Sequence, residues 1–256
     1  MRYGVREICN VVLKDVKTQE PVVYLESLKT SALETKGTTV YARGGRGNAK
    51  LIGWDSEKEI TMNMEDTLIS KEGLEVLTGS KFTAASKPVH KKEVLRVQKD
   101  GTDLSVKLAT APTANVDVKS FFYKSADGAA IGEKLTAAVT TTGTPAVTKV
   151  VLTGASIKEG DIVIADYYVD APVSAKSITI ASDVFPGTYT LEGETLWRNE
   201  DGVDVPAVFT IPKLKVLPNF NINMAATGDP TPFTFSTEVL KDSSSTAMVV
   251  IDLLEE

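Results

Sequence analysis

Apolar and polar residues alternate with a period of two along most of this chain, the spacing of a sheet with one wet and one buried face. From Ile52 one parity reads Ile52, Trp54, Ser56, Lys58, Ile60, Met62, Met64, while Glu57, Glu59, Thr61, Asn63 and Glu65 take the other. The same alternation runs through Tyr189, Leu191, Gly193, Thr195 and Trp197, through Phe220, Ile222 and Met224, and through Phe233, Phe235, Thr237 and Val239. Turn formers separate these runs: Asn199-Glu200-Asp201-Gly202, Gly228-Asp229-Pro230 and Asp242-Ser243-Ser244-Ser245. The pattern predicts a mainly β fold. The carboxyl-terminal run through Ile251 to Leu254 is expected to join a sheet.

One segment departs from the period. Ser70 to Gly79 starts with a capping serine, carries Glu72 in its first turn and ends in glycine, which predicts one short helix. Leu74 and Leu77 supply its apolar stripe, so the helix is expected to lie against a sheet. From Gly101 to Ser182 the texture changes again. Charge thins, and short strand candidates follow one another at Leu104–Ala109, Val116–Tyr123, Val147–Leu152, Asp161–Val169 and Ser177–Ile180. A cadence of about 8–12 residues is that of a small β-sandwich. We therefore read residues 101–182 as an inserted Ig-like β-sandwich domain, Ig-like in architecture only. It divides an outer β domain made of residues 1–100 and 183–256. No internal repeat is visible.

Composition narrows the chemistry. The 256 residues carry 28 Lys and Arg against 34 Asp and Glu, a net charge of −6, which disfavours a surface that holds nucleic acid by its phosphates. One cysteine, Cys9, excludes an internal disulfide framework, and one histidine, His90, leaves little material for a zinc site or a Ser-His-Asp triad. No run reaches the ~18 apolar residues of a membrane helix, and Glu7, Lys14 and Asp15 interrupt anything like a signal sequence. The expectation is a protein made and folded in a cytosol. Arg43-Gly44-Gly45-Arg46-Gly47-Asn48 has the look of a phosphate cradle, but a phosphate loop needs a Gly-Lys-Ser/Thr step into a helix, and a strand pattern follows here. It reads instead as an assembly loop. His90, among lysines, reads as a solvated strand start, and Cys9 as a small packed residue. Glu65/Asp66 suits the helix that follows; Asp201/Asp204 suits a turn. No catalytic, metal or cofactor residues are assigned, and no enzyme is expected.

Two segments in order carry a resemblance. The first runs from Ala42-Arg43-Gly44-Gly45-Arg46-Gly47-Asn48 through Leu51-Ile52-Gly53-Trp54-Asp55 to Met64 and the helix ending Leu77-Thr78-Gly79. The second holds Phe185-Pro186-Gly187-Thr188-Tyr189, Leu196-Trp197-Arg198-Asn199-Glu200, Phe209 to Lys215, Phe220, Met224 and Gly228-Asp229-Pro230 with Phe233. This layout, a little over half of the chain, resembles tail tube and related virion structural proteins of tailed bacteriophages. The resemblance implies a tail-tube-like β-barrel or sandwich domain with a flanking helix. Its sheets would join those of neighbours in rings, usually of six, stacked into a tube that passes DNA. Partners would be further copies, other phage tail proteins and DNA in transit, with no membrane. Location would be the virion tail after assembly in the host cytoplasm, and an outward-projecting insert suits a sheathless tail. Glu57, Glu59 and Glu65 are the lumen-facing acidic candidates. Alternatives are a capsid decoration protein, or a cell-surface carbohydrate module using the aromatic cluster Phe121, Phe122, Tyr123, Tyr167 and Tyr168.

Overall fold

Alternating runs become strands wherever a neighbour can satisfy their backbone groups. The structure is a computed structural model and describes residues 2–85, 87–114, 119–142, 147–154, 156–228 and 232–255. The chain opens with β1 (Tyr3–Val5), β2 (Asn10–Asp15), β3 (Pro21–Leu25), the long β4 (Leu28–Gly44) and β5 (Ala49–Asp66), then α1 (Lys71–Thr78). Next come β6 (Thr83–Ala84), β7 (Val89–Arg96), β8 (Gln98–Asp100), β9 (Asp103–Leu108), β10 (Phe121–Ser125), β11 (Lys134–Thr142), β12 (Val147–Thr153), β13 (Ile162–Val169) and β14 (Lys176–Ser177). It ends with β15 (Thr188–Asn199), β16 (Asp204–Val216), β17 (Phe233–Phe235), β18 (Thr237–Val239) and β19 (Val250–Leu253). The fold is mainly β with one short helix.

The chain forms two compact units, one of Met1–Phe82 with Ile178–Glu256 and one of Thr83–Ser177. In the first, strands run in the order β17-β5-β18-β16-β15-β2-β3, with β4 on β5, β1 on β15 and β19 on β16. This sheet curls into a half-barrel. Inside the curl lies a core in which Leu13, Met64, Leu191, Ile211, Leu214 and Val216 are fully buried. Helix α1 forms where the capping signals place it. The Ser70 hydroxyl accepts from the Gly73 N–H at 2.8 Å, and Gly79, at φ 73°, returns its N–H to the Glu75 carbonyl at 2.8 Å. The helix buries Gly73, Val76, Leu77 and Thr78; of the expected stripe Leu77 is buried and Leu74 half-buried, and Gly73 lies against the Phe235 ring.

The second unit orders its strands β7-β13-β10-β11-β12-β9-β8 around its own core, which contains Val106, Phe122, Val150, Val163 and Tyr167. Strand β11 pairs with β10 at Leu135 and with β12 along Thr136–Thr142, so it passes from one half of the unit to the other. A two-stranded ladder of β6 and β14 joins the two ends of the unit. Strand β7 pairs with β13 throughout, so this unit begins before Gly101. Of the expected Val116–Tyr123 strand, residues 116–118 lie outside the described residues, as do 229 and 230 of the Gly228-Asp229-Pro230 turn. Two further differences from the sequence reading are local. The Ala- and Thr-rich β11 has no apolar alternation to announce it. Phe220–Met224 alternates but joins no sheet: Phe220 packs on the core while Met224 is almost fully exposed.

Candidate functional site

Strands β4 and β5 form one hairpin of 17 and 18 residues, about three times the usual strand length. Its base belongs to the sheet: β17 pairs with Met64, Glu65 and Asp66, and β18 with Thr61. Ile60, Met62 and Met64 point into the core there. Beyond Ile60 the two strands pair only with each other, among the described residues, and form a ribbon over 36–44 and 49–59. Every residue of β5 from Ala49 to Glu59 is exposed. An isolated two-stranded ribbon is marginal in water and presents two unpaired edges.

A β-bulge separates base from ribbon. Glu57 takes φ 52°, and the register slips between Lys36/Glu59 and Thr38/Ser56, so β5 carries one extra residue. The extra residue reverses the parity of the ribbon as far as Ile52, where a second slip, between Ala42/Ile52 and Arg43/Lys50, precedes the tip. Ile52 and Trp54 therefore do not share the face of Ile60, Met62 and Met64, as their spacing suggests. They pair with Ala42 and Val40 on the face that holds Glu34, Lys36, Glu59 and Thr61 at the base. Val40, Ile52 and Trp54 are each more than half exposed. The opposite face of the ribbon is polar and aromatic. Thr39 donates to Asp55 at 2.7 Å, Tyr41 lies across Gly53, and the Lys50 ammonium stands 3.9 Å from the Tyr41 ring centroid. A Cβ on Gly53 would meet that ring at 3.0 Å, so glycine is what lets the ring lie there.

At the tip, Gly45 and Gly47 adopt φ of 78° and 91° and Asn48 follows at 50°. The Asn48 N–H donates to the Gly45 carbonyl at 3.1 Å and closes the loop. Arg43 and Arg46 make no ion pair among the described residues. Arg43, Gly44, Gly45, Arg46, Gly47 and Asn48 thus form the apex of an exposed ribbon and lead into a strand. Of the acidic candidates, Glu59 lies on the ribbon face of Lys36 and Glu65 is half-buried at the base. Glu57 is the bulge residue, with Oε2 3.2 Å from the Thr38 hydroxyl.

The remaining candidates have ordinary partners. His90 Nε2 lies 3.0 Å from Asp166 Oδ1 with the Tyr168 ring edge-on beside it. Cys9 is buried, and burial together with the charge of Glu194 pushes its thiol up to about 11. Asp66 accepts from the Ser27 hydroxyl and the Leu68 N–H. Asp204 takes a two-pronged bond from Arg198 at 2.6 and 2.7 Å, which holds its carboxyl below the usual range. Among the aromatics, Phe122 and Tyr167 are core residues, leaving Phe121, Tyr123 and Tyr168 partly exposed. Among the described residues no three His, Cys, Asp or Glu side chains form a metal-holding group, and no helix is long and apolar enough to cross a membrane.

The sequence pattern places a loop at the tip, but it does not mark Val40, Tyr41, Ile52 and Trp54 as surface. The signal was available in length: two strand patterns of this extent around a glycine turn outrun any sheet of ordinary width. The family model described as the YomU/Tube protein family matches residues 3–251. No curated protein matches the chain.

Proposed function

The chain belongs to the YomU/Tube protein family, and from that premise we propose that it is the repeating subunit of a phage tail tube. Copies join through their sheets into rings, usually of six, and the rings stack into a tube that conducts DNA. The observation that carries the assembly reading is the ribbon of β4 and β5. A monomer gains nothing from a ribbon whose strand residues are nearly all exposed, with Val40, Ile52 and Trp54 on one face, whereas a neighbouring subunit would cover them. The tip loop of Arg43 to Asn48 is its leading contact. Glu57, Glu59 and Glu65 are proposed to face the lumen, where carboxylates repel phosphate and keep a passing duplex from adhering. The first compact unit is the tube-forming domain, and the second is an inserted, Ig-like β-sandwich. Further copies and other tail proteins are its partners, the virion tail its location after assembly in the host cytoplasm, and structure rather than catalysis its role.

Negative-stain microscopy of the purified protein over a rising concentration series tests this. Rings and tubes are expected, with sixfold symmetry in end views. A monomer at every concentration, with no growth from added seeds, would overturn it.

A further inference from the structure

The hairpin tip has a counterpart of opposite charge on the same fold. A shallow depression of about 240 Å³ opens on the solvent face of the sheet, where β3, β2 and β15 lie side by side. Register places Val12 between Tyr24 and Glu192, and Glu194 between Asn10 and Val208, so the side chains of Glu26, Glu192 and Glu194 ring an apolar floor. Glu192 is neutralised by Lys14. Glu26 and Glu194 are exposed and make no ion pair among the described residues. Tyr24 leaves 62% of its surface in water. A second cavity on this unit, beside β1, is different. It mixes Arg2, Arg6 and Arg198 with Glu200 and Asp204, and Arg2 already meets Glu200 at 3.5 Å and Arg198 meets Asp204 at 2.6 Å.

We propose that the basic tip of one copy, through Arg43 and Arg46, docks into the depression formed by Glu26, Glu194 and Tyr24 of another copy. This rests on the tube reading and names the surface that receives its arm. Three cations, Arg43, Arg46 and Lys50, crowd into eight residues at the apex of a chain whose net charge is −6. They repel one another unless a partner supplies carboxylates. Guanidinium groups pair with carboxylates in a planar fork and stack on aromatic rings, and the depression offers both. The two surfaces occupy opposite ends of the strand order, the hairpin at β5 and the depression at β3. Contact between them is therefore heterologous. Each copy added leaves one tip and one depression free, which is the condition for open-ended growth.

The test uses two full-length variants, one with Arg43→Glu and Arg46→Glu, the other with Glu26→Lys and Glu194→Lys. All four positions are exposed, so circular dichroism and unfolding midpoints are expected to match the unmodified protein. Each variant alone is expected to polymerise only at concentrations about tenfold higher or more, because tip and depression now repel. Mixed in equal amounts they are expected to co-assemble. The acidic tip of the first fits the basic depression of the second, and the basic tip of the second fits the acidic depression of the first. Wild-type-like assembly of either variant alone, or a mixture that stays unassembled, would overturn the pairing. Failure of the unmodified protein to polymerise would instead overturn the tube reading beneath it.

Discussion

At Gly79 the backbone takes φ 73°, and a Cβ built there would stand 2.2 Å from the carbonyl oxygen of Phe185. No flexible side chain can yield at that contact, because the obstructing atom is backbone. Gly79→Ala therefore combines a left-handed conformation, costing about 1–3 kcal/mol, with a clash that forces the end of α1 off its seat. A lowered urea midpoint is expected, and a variant as stable as the parent would show that the segment at Phe185 is free to move. In the second unit, Glu93 is half-buried, which alone would raise its pKa. The Tyr167 hydroxyl at 2.6 Å, the Lys91 ammonium at 2.9 Å and the Ala109 N–H at 3.2 Å outweigh burial and hold it below the usual range. The folded state thus binds this proton less readily than the unfolded chain, whose glutamates titrate near about 4.3. Its contribution is present above that pH and lost as pH falls through the lower folded value. Glu93→Gln is expected to lower the melting temperature at neutral pH and to flatten its fall with acid; an unchanged acid slope would contradict this.

Among elements, the hairpin is where burial and exposure diverge most within one strand pair. Its two halves meet at the bulge of Glu57 and differ in what covers them: a full sheet below, water above. The chain has two tryptophans, one of them on this ribbon. Trp54 is 55% exposed, whereas Trp197 lies against Tyr3 and Phe209. In a Trp197→Phe variant the only indole left reports the ribbon. Its emission is expected to be red-shifted and quenched by iodide in the monomer, then blue-shifted and protected on polymerisation. Emission unchanged by assembly would mean that the apolar face stays uncovered. The same element shows what a sequence reveals and what it hides. Alternation located β5, β15 and β18 because each buries one face, and Ser70 and Gly79 located α1 because caps are local chemistry. Neither the bulge nor the neighbour of a strand is local. The apolar parity of Ile52, Trp54 and Ile60 continues in the sequence across Glu57 although their side chains face opposite ways. Phe220–Met224 alternates as well as any strand but joins no strand among the described residues. The tip loop was legible from its glycines; the exposed face of Val40, Ile52 and Trp54 was not, since apolar residues in alternation read as buried.

For the molecule as a whole, the two compact units keep separate cores: one drawn from residues up to Leu77 and from Leu191 onward, the other from Val97 to Tyr167. The point where the second unit leaves and rejoins the chain is equally self-contained. Ser177 pairs with Thr83 and Lys176 with Ala84, so the two crossing segments run as adjacent strands about 5 Å apart. A gap that small is spanned by a few residues, and loop closure of that size costs little. Replacing Thr83–Ser177 with a short Gly-Ser bridge between Phe82 and Ile178 should therefore leave the curled sheet, α1 and the hairpin intact. If tube formation belongs to the first unit, the excised protein is expected to retain its β circular dichroism and cooperative melting. It should also still form tubes in the microscope, thinner or smoother than those of the full chain. Expression of the excised chain as a folded monomer that never polymerises would move the assembly contacts into the second unit. Loss of folding altogether would mean that the units depend on each other for stability despite their separate cores.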